Sequence, residues 1–187
     1  MANNFEPRRA DVDEVELVGG FEKRHLELVG YDESWPDIFL DHQGRLRKAL
    51  GTAEVEVEHI GSTSVPGLAA NPIVDIVVTV DDITAEEDCL APLLAAGYKL
   101  RTREPGHRLV CTPARDVHIQ ILQRGDEAVD NYRLFRNRLR ADTDDRALYE
   151  DTKRALLNQG FDDMNAYADA KTEVIAAIMK RALSAGA

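Results

Sequence analysis

Residues 73–80 read IVDIVVTV, an apolar run without alternation. A strand with one wet face alternates polar and apolar side chains, so an unbroken run of this kind needs cover on both faces. That need selects a layered fold in which helices sandwich a sheet. Asp75 interrupts the run. An unpaired buried carboxylate is costly, so a cation or hydrogen-bond donors must compensate it. What meets Asp75 is therefore the central question about this chain.

The flanking segments supply the layers. AEVEVEHI (53–60) alternates, with Val55, Val57 and His59 on one face and Glu54, Glu56 and Glu58 on the other, as in a half-buried strand. Upstream, HLELVG suggests a short strand. Ser34 and Pro36 then open a helix that carries Trp35, Phe39 and Leu46 at helical spacing. Thr84 and Glu87 have capping-box spacing for a helix that runs to Ala96 and stops at Gly97. Strands RLVCT and RDVHIQIL follow. Beyond Gly125 the period becomes helical over roughly 127–141, 144–158 and 163–183. The expected class is α+β: a mixed sheet with one crossover helix, then a C-terminal helical lobe, with a cleft between them. Residues 1–24, polar and acidic without a period, are expected to be a mobile arm, and 25–187 a single domain.

Charge narrows the partners. A formal net charge of -11 opposes sequence-independent binding to nucleic acid or anionic lipid. The N-terminal sequence lacks the pattern of a signal or transit peptide, and no run reaches membrane-spanning length, so a cytoplasmic location is expected. Cys89 and Cys111 lack C-x-x-C spacing and are expected to be reduced packing thiols.

The candidate chemistry begins at HIGSTSVPGLAANP (59–72). At a strand end, the backbone N–H groups of Gly61 and Ser62 and the Ser62 hydroxyl suit a phosphate, although such a turn is also an ordinary structural device. On the next strand Asp75 suits a hard divalent cation held against phosphate oxygens. On RDVHIQIL the residues Asp116, His118, Gln120 and Leu122 share a face. His118 is thus a metal ligand, a base, or a histidine satisfied at the sheet surface. In YRLFRNRLR, Tyr132, Arg136 and Arg140 recur at helical spacing, and Tyr149 with Lys153 repeats the device. Arg136, Arg140 and Lys153 are candidates to grip phosphates or carboxylates; the alternative is surface pairing with neighbouring acids.

These same segments, EHIGSTSVPGLAANPIVDI with YDESWPDIF, FRNRLR and YEDTKRAL, resemble the GrpB family from Leu26 to Ala182. GrpB proteins resemble a divergent branch of the nucleotidyltransferase superfamily, whose pattern is a Gly–Ser turn, a strand with two acids one residue apart, and a third acid on a later strand. The resemblance implies a nucleotidyltransferase-like fold. By position Gly61 and Ser62 fill the turn and Asp75 the first acid, whereas Val77 stands at the second. His118 matches the first residue of the family's H-x-H and Gln120 replaces the second. Asn71 stands where Lys is usual, and Asn137 replaces the Asp of F-R-D-x-L-R. Glu58 and His59 match the family's E-H and are candidates to complete a metal or proton-transfer site.

Together these readings make Ser62, Asp75 and His118 the candidate catalytic residues. Gly61, Ser62, Arg136, Arg140 and Lys153 are the candidate phosphate contacts, and Asp75, Glu58 and His118 the candidate Mg²⁺ ligands. The expected activity is nucleotidyl transfer from an NTP to a small-molecule acceptor. The alternatives are an ATP-dependent ligase working through an acyl adenylate, and a non-catalytic module binding a nucleotide or anionic metabolite.

Overall fold

A computed structural model describes residues 7–20, 26–51, 55–161 and 164–185. Its centre is a six-stranded mixed sheet in the order β1-β4-β5-β6-β3-β2. The strands are β1 (Glu16–Leu17), β2 (Val57–Ile60), β3 (Val74–Val80), β4 (Lys99–Glu104), β5 (His107–Cys111) and β6 (Val117–Gln123). Only the β3–β6 pair is parallel. The IVDIVVTV segment is thus a central strand, flanked by β2 and β6 and covered on both faces as its composition requires. This is the α+β arrangement expected.

One face, with Val57, Val74, Ile76, Val78, Ile119 and Ile121, packs under α1 (Trp35–Leu50) and the short α2 (Glu86–Cys89) and α3 (Ala91–Ala95). Pro36 in the first turn opens α1, as the sequence predicts, and Gly51 in the left-handed conformation ends it. The opposite face meets a helical lobe: α4 (Glu127–Ala141), α5 (Thr143–Gln159), α6 (Met164–Ala170) and α7 (Thr172–Ala185). Asp126 and Asp142 cap α4 and α5 by accepting from the backbone N–H groups of Ala128 and Asp145. Among the described residues no helix is long and apolar enough to cross a membrane. Cys89 and Cys111 are both buried, and neither is in a disulfide.

Four expectations fail locally. The Thr84–Glu87 capping box does not form, because the Thr84 hydroxyl donates to Asp82 instead, at 2.6 Å. The helix drawn to Ala96 is consequently two short pieces, with Pro92 in the first turn of the second. In HLELVG, whose His25 lies outside the described residues, only an isolated bridge forms, Val29 to Ala70. The third C-terminal helix breaks at Lys171 into α6 and α7.

The fourth concerns the expected mobile arm. Residues 1–6 and 21–25 lie outside the described residues, but 7–20 strap the sheet. Glu16–Leu17 pairs with β4 in antiparallel register, and Asp11 accepts from the Gly106 N–H and the Arg108 guanidinium. Strand β4, KLRTRE, was invisible to a hydrophobic pattern because its cohesion is ionic. Arg103 is clamped by Glu86 and Glu16, and Arg101 donates to the carbonyls of Val18 and Gly20.

Candidate functional site

The loop between β2 and β3 turns sharply at Gly61, whose φ of 70° falls in the left-handed region. A β-carbon at Gly61 would stand 2.7 Å from Asp75 Oδ2, so backbone conformation and close approach both demand glycine. Residues 62–64 then form one 3₁₀ turn, fixed by the Ser64 hydroxyl donating to the Gly61 carbonyl at 2.6 Å. The rest of the loop is core. Val65 and Leu68 are fully buried against Leu139, Tyr149 and Ile178 of the helical lobe. The turn is thereby pressed between β3 and α5, which aims Ser62 at the space above Asp75.

That space is a recess of about 160 Å³. Gly61, Ser62, Asn71, Asp75 and His118 line its sheet side, and Tyr149, Tyr167 and Lys171 its helical side. In the β3–β6 ladder Asp75 pairs with His118 and Val77 with Gln120, so these four share the face. Of the arrangement that the resemblance implies, the Gly–Ser turn and the first acid are brought together here, with Val77 at the second acid position and His118 on the later strand.

Among the described residues Asp75 has no cation within hydrogen-bond distance. His118 Nδ1 is 3.9 Å from Asp75 Oδ1, beyond hydrogen-bond range. About 32% of the Asp75 side chain still reaches the recess, but enclosure by protein raises its pKa, with His118 and Lys171 opposing the rise. Burial lowers the Lys171 pKa, and Asp75 pulls it back. Lys171 also lies over the Tyr167 ring, 4.3 Å from its centre. Burial pushes the Tyr167 hydroxyl up to about 12. Two buried polar atoms of the recess, His118 Nε2 and the Tyr167 hydroxyl, have no partner among the described residues.

Lys153, a candidate phosphate contact by sequence, lies against Ser62 and does not line the recess. Its ammonium nitrogen, with the residue only 1% exposed, lies 3.1 Å from Ser62 Oγ, 2.6 Å from the Ala69 carbonyl and 4.8 Å from the centre of the Tyr149 ring. Burial first, then the charge of Lys171, brings its pKa down to about 7, against a smaller opposing pull from Glu150.

The arginines are used otherwise than the sequence reading expects. Arg136 donates to Glu58 at 2.9 Å and to the His59 carbonyl at 3.0 Å. Arg140 donates twice to the Ser64 carbonyl, at 2.9 and 2.6 Å. Both hold the turn and its strand in place rather than line the recess. Glu58 is likewise committed: Arg133 and Arg136 both bond its carboxylate and lower its pKa against desolvation. The expected trio of Asp75, Glu58 and His118 does not gather, and no group of three or more His, Cys, Asp or Glu suited to a metal occurs among the described residues.

His59 points to the opposite face from Glu58, as strand alternation dictates. There it bonds Thr63 Oγ1 at 2.9 Å, stacks on Phe39, and is kept neutral by burial, its pKa falling to about 4. Val77 packs with Ile60, Leu122 and Val129, and Gln120 is bonded to His107 at 2.6 Å. Asn71 donates to the Glu27 carbonyl at 2.7 Å.

Sequence reasoning missed Lys171 and Tyr167. The helical period runs through position 171 without interruption, so nothing local announces the break that turns Lys171 toward Asp75.

The GrpB protein family model matches residues 25–181. A UPF0157 protein of Streptomyces coelicolor is 61% identical over 182 residues, covering 97% of each chain. A UPF0157 protein of Halalkalibacterium halodurans is 38% identical over 187 residues, covering 97% of this chain and 95% of its own. Among solved structures, the crystal structure of conserved protein GrpB from Enterococcus faecalis superposes with a TM-score of 0.74 at 29% identity, covering 84% of this chain and 98% of that one.

Proposed function

The chain belongs to the GrpB family, and from that premise we propose that the recess under the Gly61–Ser62 turn binds the phosphates of a Mg·NTP for nucleotidyl transfer to a small acceptor. The observation that carries this reading is one carboxylate, Asp75, set against a phosphate-suited turn in a recess that also holds Ser62, Lys171 and two unpartnered polar atoms. Magnesium sites typically use one or two carboxylates plus substrate phosphates, so Asp75 with the Ser62 hydroxyl fits the donor chemistry, and His118, a nitrogen donor, does not. Bound there, the cation would neutralise charge on the phosphates. Lys171 offsets further negative charge on the phosphates. A recess of about 160 Å³ suits phosphate groups and leaves the nucleoside at its mouth. Positioning of this kind is what in-line transfer requires.

A second reading has its own observation. With Val77 in an apolar cluster, Gln120 tied to His107 and Glu58 held by arginines, Asp75 is the one carboxylate lining the recess among the described residues. That favours a module that binds an anionic metabolite without turnover. A thermal-shift screen of nucleotides and phosphorylated metabolites, with Mg²⁺ or with EDTA, separates the two. Stabilisation at 100 times Kd is about 2.7 kcal/mol, roughly 5–10 °C in Tm for a domain of this size. A shift seen only with Mg²⁺ supports the transferase reading, and an equal shift in EDTA supports the module. No shift with any phosphate compound overturns both.

A further inference from the structure

Lys153 differs from an ordinary buried lysine in the company it keeps. Buried ammonium groups are normally paired with carboxylates, because an unpaired charge loses its hydration. The groups within hydrogen-bond distance of this nitrogen are neutral: the Ala69 carbonyl at 2.6 Å and Ser62 Oγ at 3.1 Å, beside the Tyr149 ring. The nearby carboxylate of Glu150 is spent on the Ala69 N–H and on Arg154. Ser62, in turn, lines the recess together with Tyr149. A serine that faces a cavity while backed by a buried amine and a phenol is the constellation of an activated nucleophile.

We propose that Ser62 and Lys153 form a nucleophile–base pair that gives this protein acyl-transfer chemistry on a small activated ester or thioester, with the acyl-Ser62 enzyme as intermediate. Ser62 Oγ bonds to the carbonyl carbon while its proton passes to Lys153 Nζ. The C–O or C–S bond to the leaving group then breaks, and Lys153 returns the proton to the departing alkoxide or thiolate. Water, deprotonated by Lys153 in the same way, releases the carboxylic acid and restores the serine. Lys171, lining the same recess, offsets the oxyanion formed at each step, and Ile73 and Ala168 give the acyl chain an apolar wall. The proposal goes beyond nucleotide binding and does not depend on it.

The test is covalent labelling of the intact protein with a short-chain alkyl fluorophosphonate, located by peptide mass spectrometry. Ser62 Oγ displaces fluoride, the proton again going to Lys153. Labelling at Ser62 is expected in the intact parent protein. The charged groups facing Lys153 are Lys171 from the α6–α7 turn and Glu150 and Arg154 on its own helix. Ser62→Ala should abolish the label. Lys153→Arg, which keeps a cation but cannot act as a base, should slow it at least 100-fold, in the range general bases contribute, with Tm monitored as the folding control. Lys153→Met should do the same. Absence of label on the parent protein between pH 6 and 9 overturns the proposal. So does label at another serine only, or a Lys153→Arg protein with the same Tm that labels at the parent rate. Nucleotide thermal shifts in the same variants report separately on the binding site.

Discussion

Two clusters of buried charge sit at opposite ends of this sheet and are finished to different degrees. At the β4–β5 edge, Arg108 is 1% exposed, yet its guanidinium donates to Glu86 at 2.7 Å, to Asp11, and to the carbonyls of Glu104 and His107 at 2.7 and 3.0 Å. Arg103 shares Glu86 from the other side. At the β2–β3 end, among the described residues, Asp75 has no cation within hydrogen-bond distance, His118 Nε2 and the Tyr167 hydroxyl have no partner, and Lys153 bonds only neutral groups. The first cluster is closed upon itself and works as a clasp for the N-terminal strap. The second keeps bonding capacity in reserve beside a cavity, which is what a site awaiting a ligand retains.

The comparison breaks most sharply at Arg108. Removing one member of a closed buried ion network strands the others, so Arg108→Ala should lose about 3–5 kcal/mol of unfolding free energy. Urea denaturation measures this, and ligand-induced shifts at the recess should survive in the fraction that remains folded. A loss below 1 kcal/mol would mean that the clasp is ordinary surface pairing.

Acid titration sharpens the contrast on a single strand. His59 titrates near 4 in the folded state and near 6.5 when unfolded. The unfolded chain therefore binds the extra proton between these values, and stability is lost as pH falls from about 6.5 toward 4, by roughly 3 kcal/mol in all. His42, lowered by burial beside Tyr98, pushes the same way. His59→Asn should flatten the larger part of this limb between pH 6.5 and 4.5, above the range where the paired carboxylates titrate. An unchanged limb would show that His59 is protonated within the fold.

The smallest stability effect is expected at Asp75, where the change in function is greatest. Its carboxyl titrates above its unfolded value, so ionisation opposes folding as pH rises past the unfolded pKa. Asp75→Asn at neutral pH should leave Tm unchanged or raise it, with Mg²⁺-dependent ligand shifts abolished. If Tm instead falls well below the parent, Asp75 belongs with Arg108 among structural charges, satisfied through His118 and Lys171.

Much of the fold was legible because hydrophobic period is a local signal. The central strand, the half-buried β2 and the helical C-terminal third all follow from it. Strand β4 was not, because arginines on a strand look like solvent residues until Glu86 and Glu16, distant in sequence, are brought to them. Within the candidate site, Gly61, Ser62, Asp75, His118 and Lys153 were named from turn chemistry, strand interruption and family resemblance, and the structure brings them to one place. Arg136, Arg140 and Glu58 were named by the same kind of reasoning, yet they bond one another's strand and turn.

By itself the sequence determined which segments must be covered and which residues can carry charge into the core, since burial of apolar surface and backbone preference at Gly61 act over a few residues. Which charges would be neutralised and which left in reserve was decided only by the tertiary structure. That outcome depends on distances between groups up to 97 residues apart, as between Arg108 and Asp11, and on a helix break at Lys171 that no local preference marks. Electrostatic satisfaction is a property of three-dimensional neighbours, so a carboxylate in a strand and an arginine on a helix have no fixed role until the fold supplies their partners.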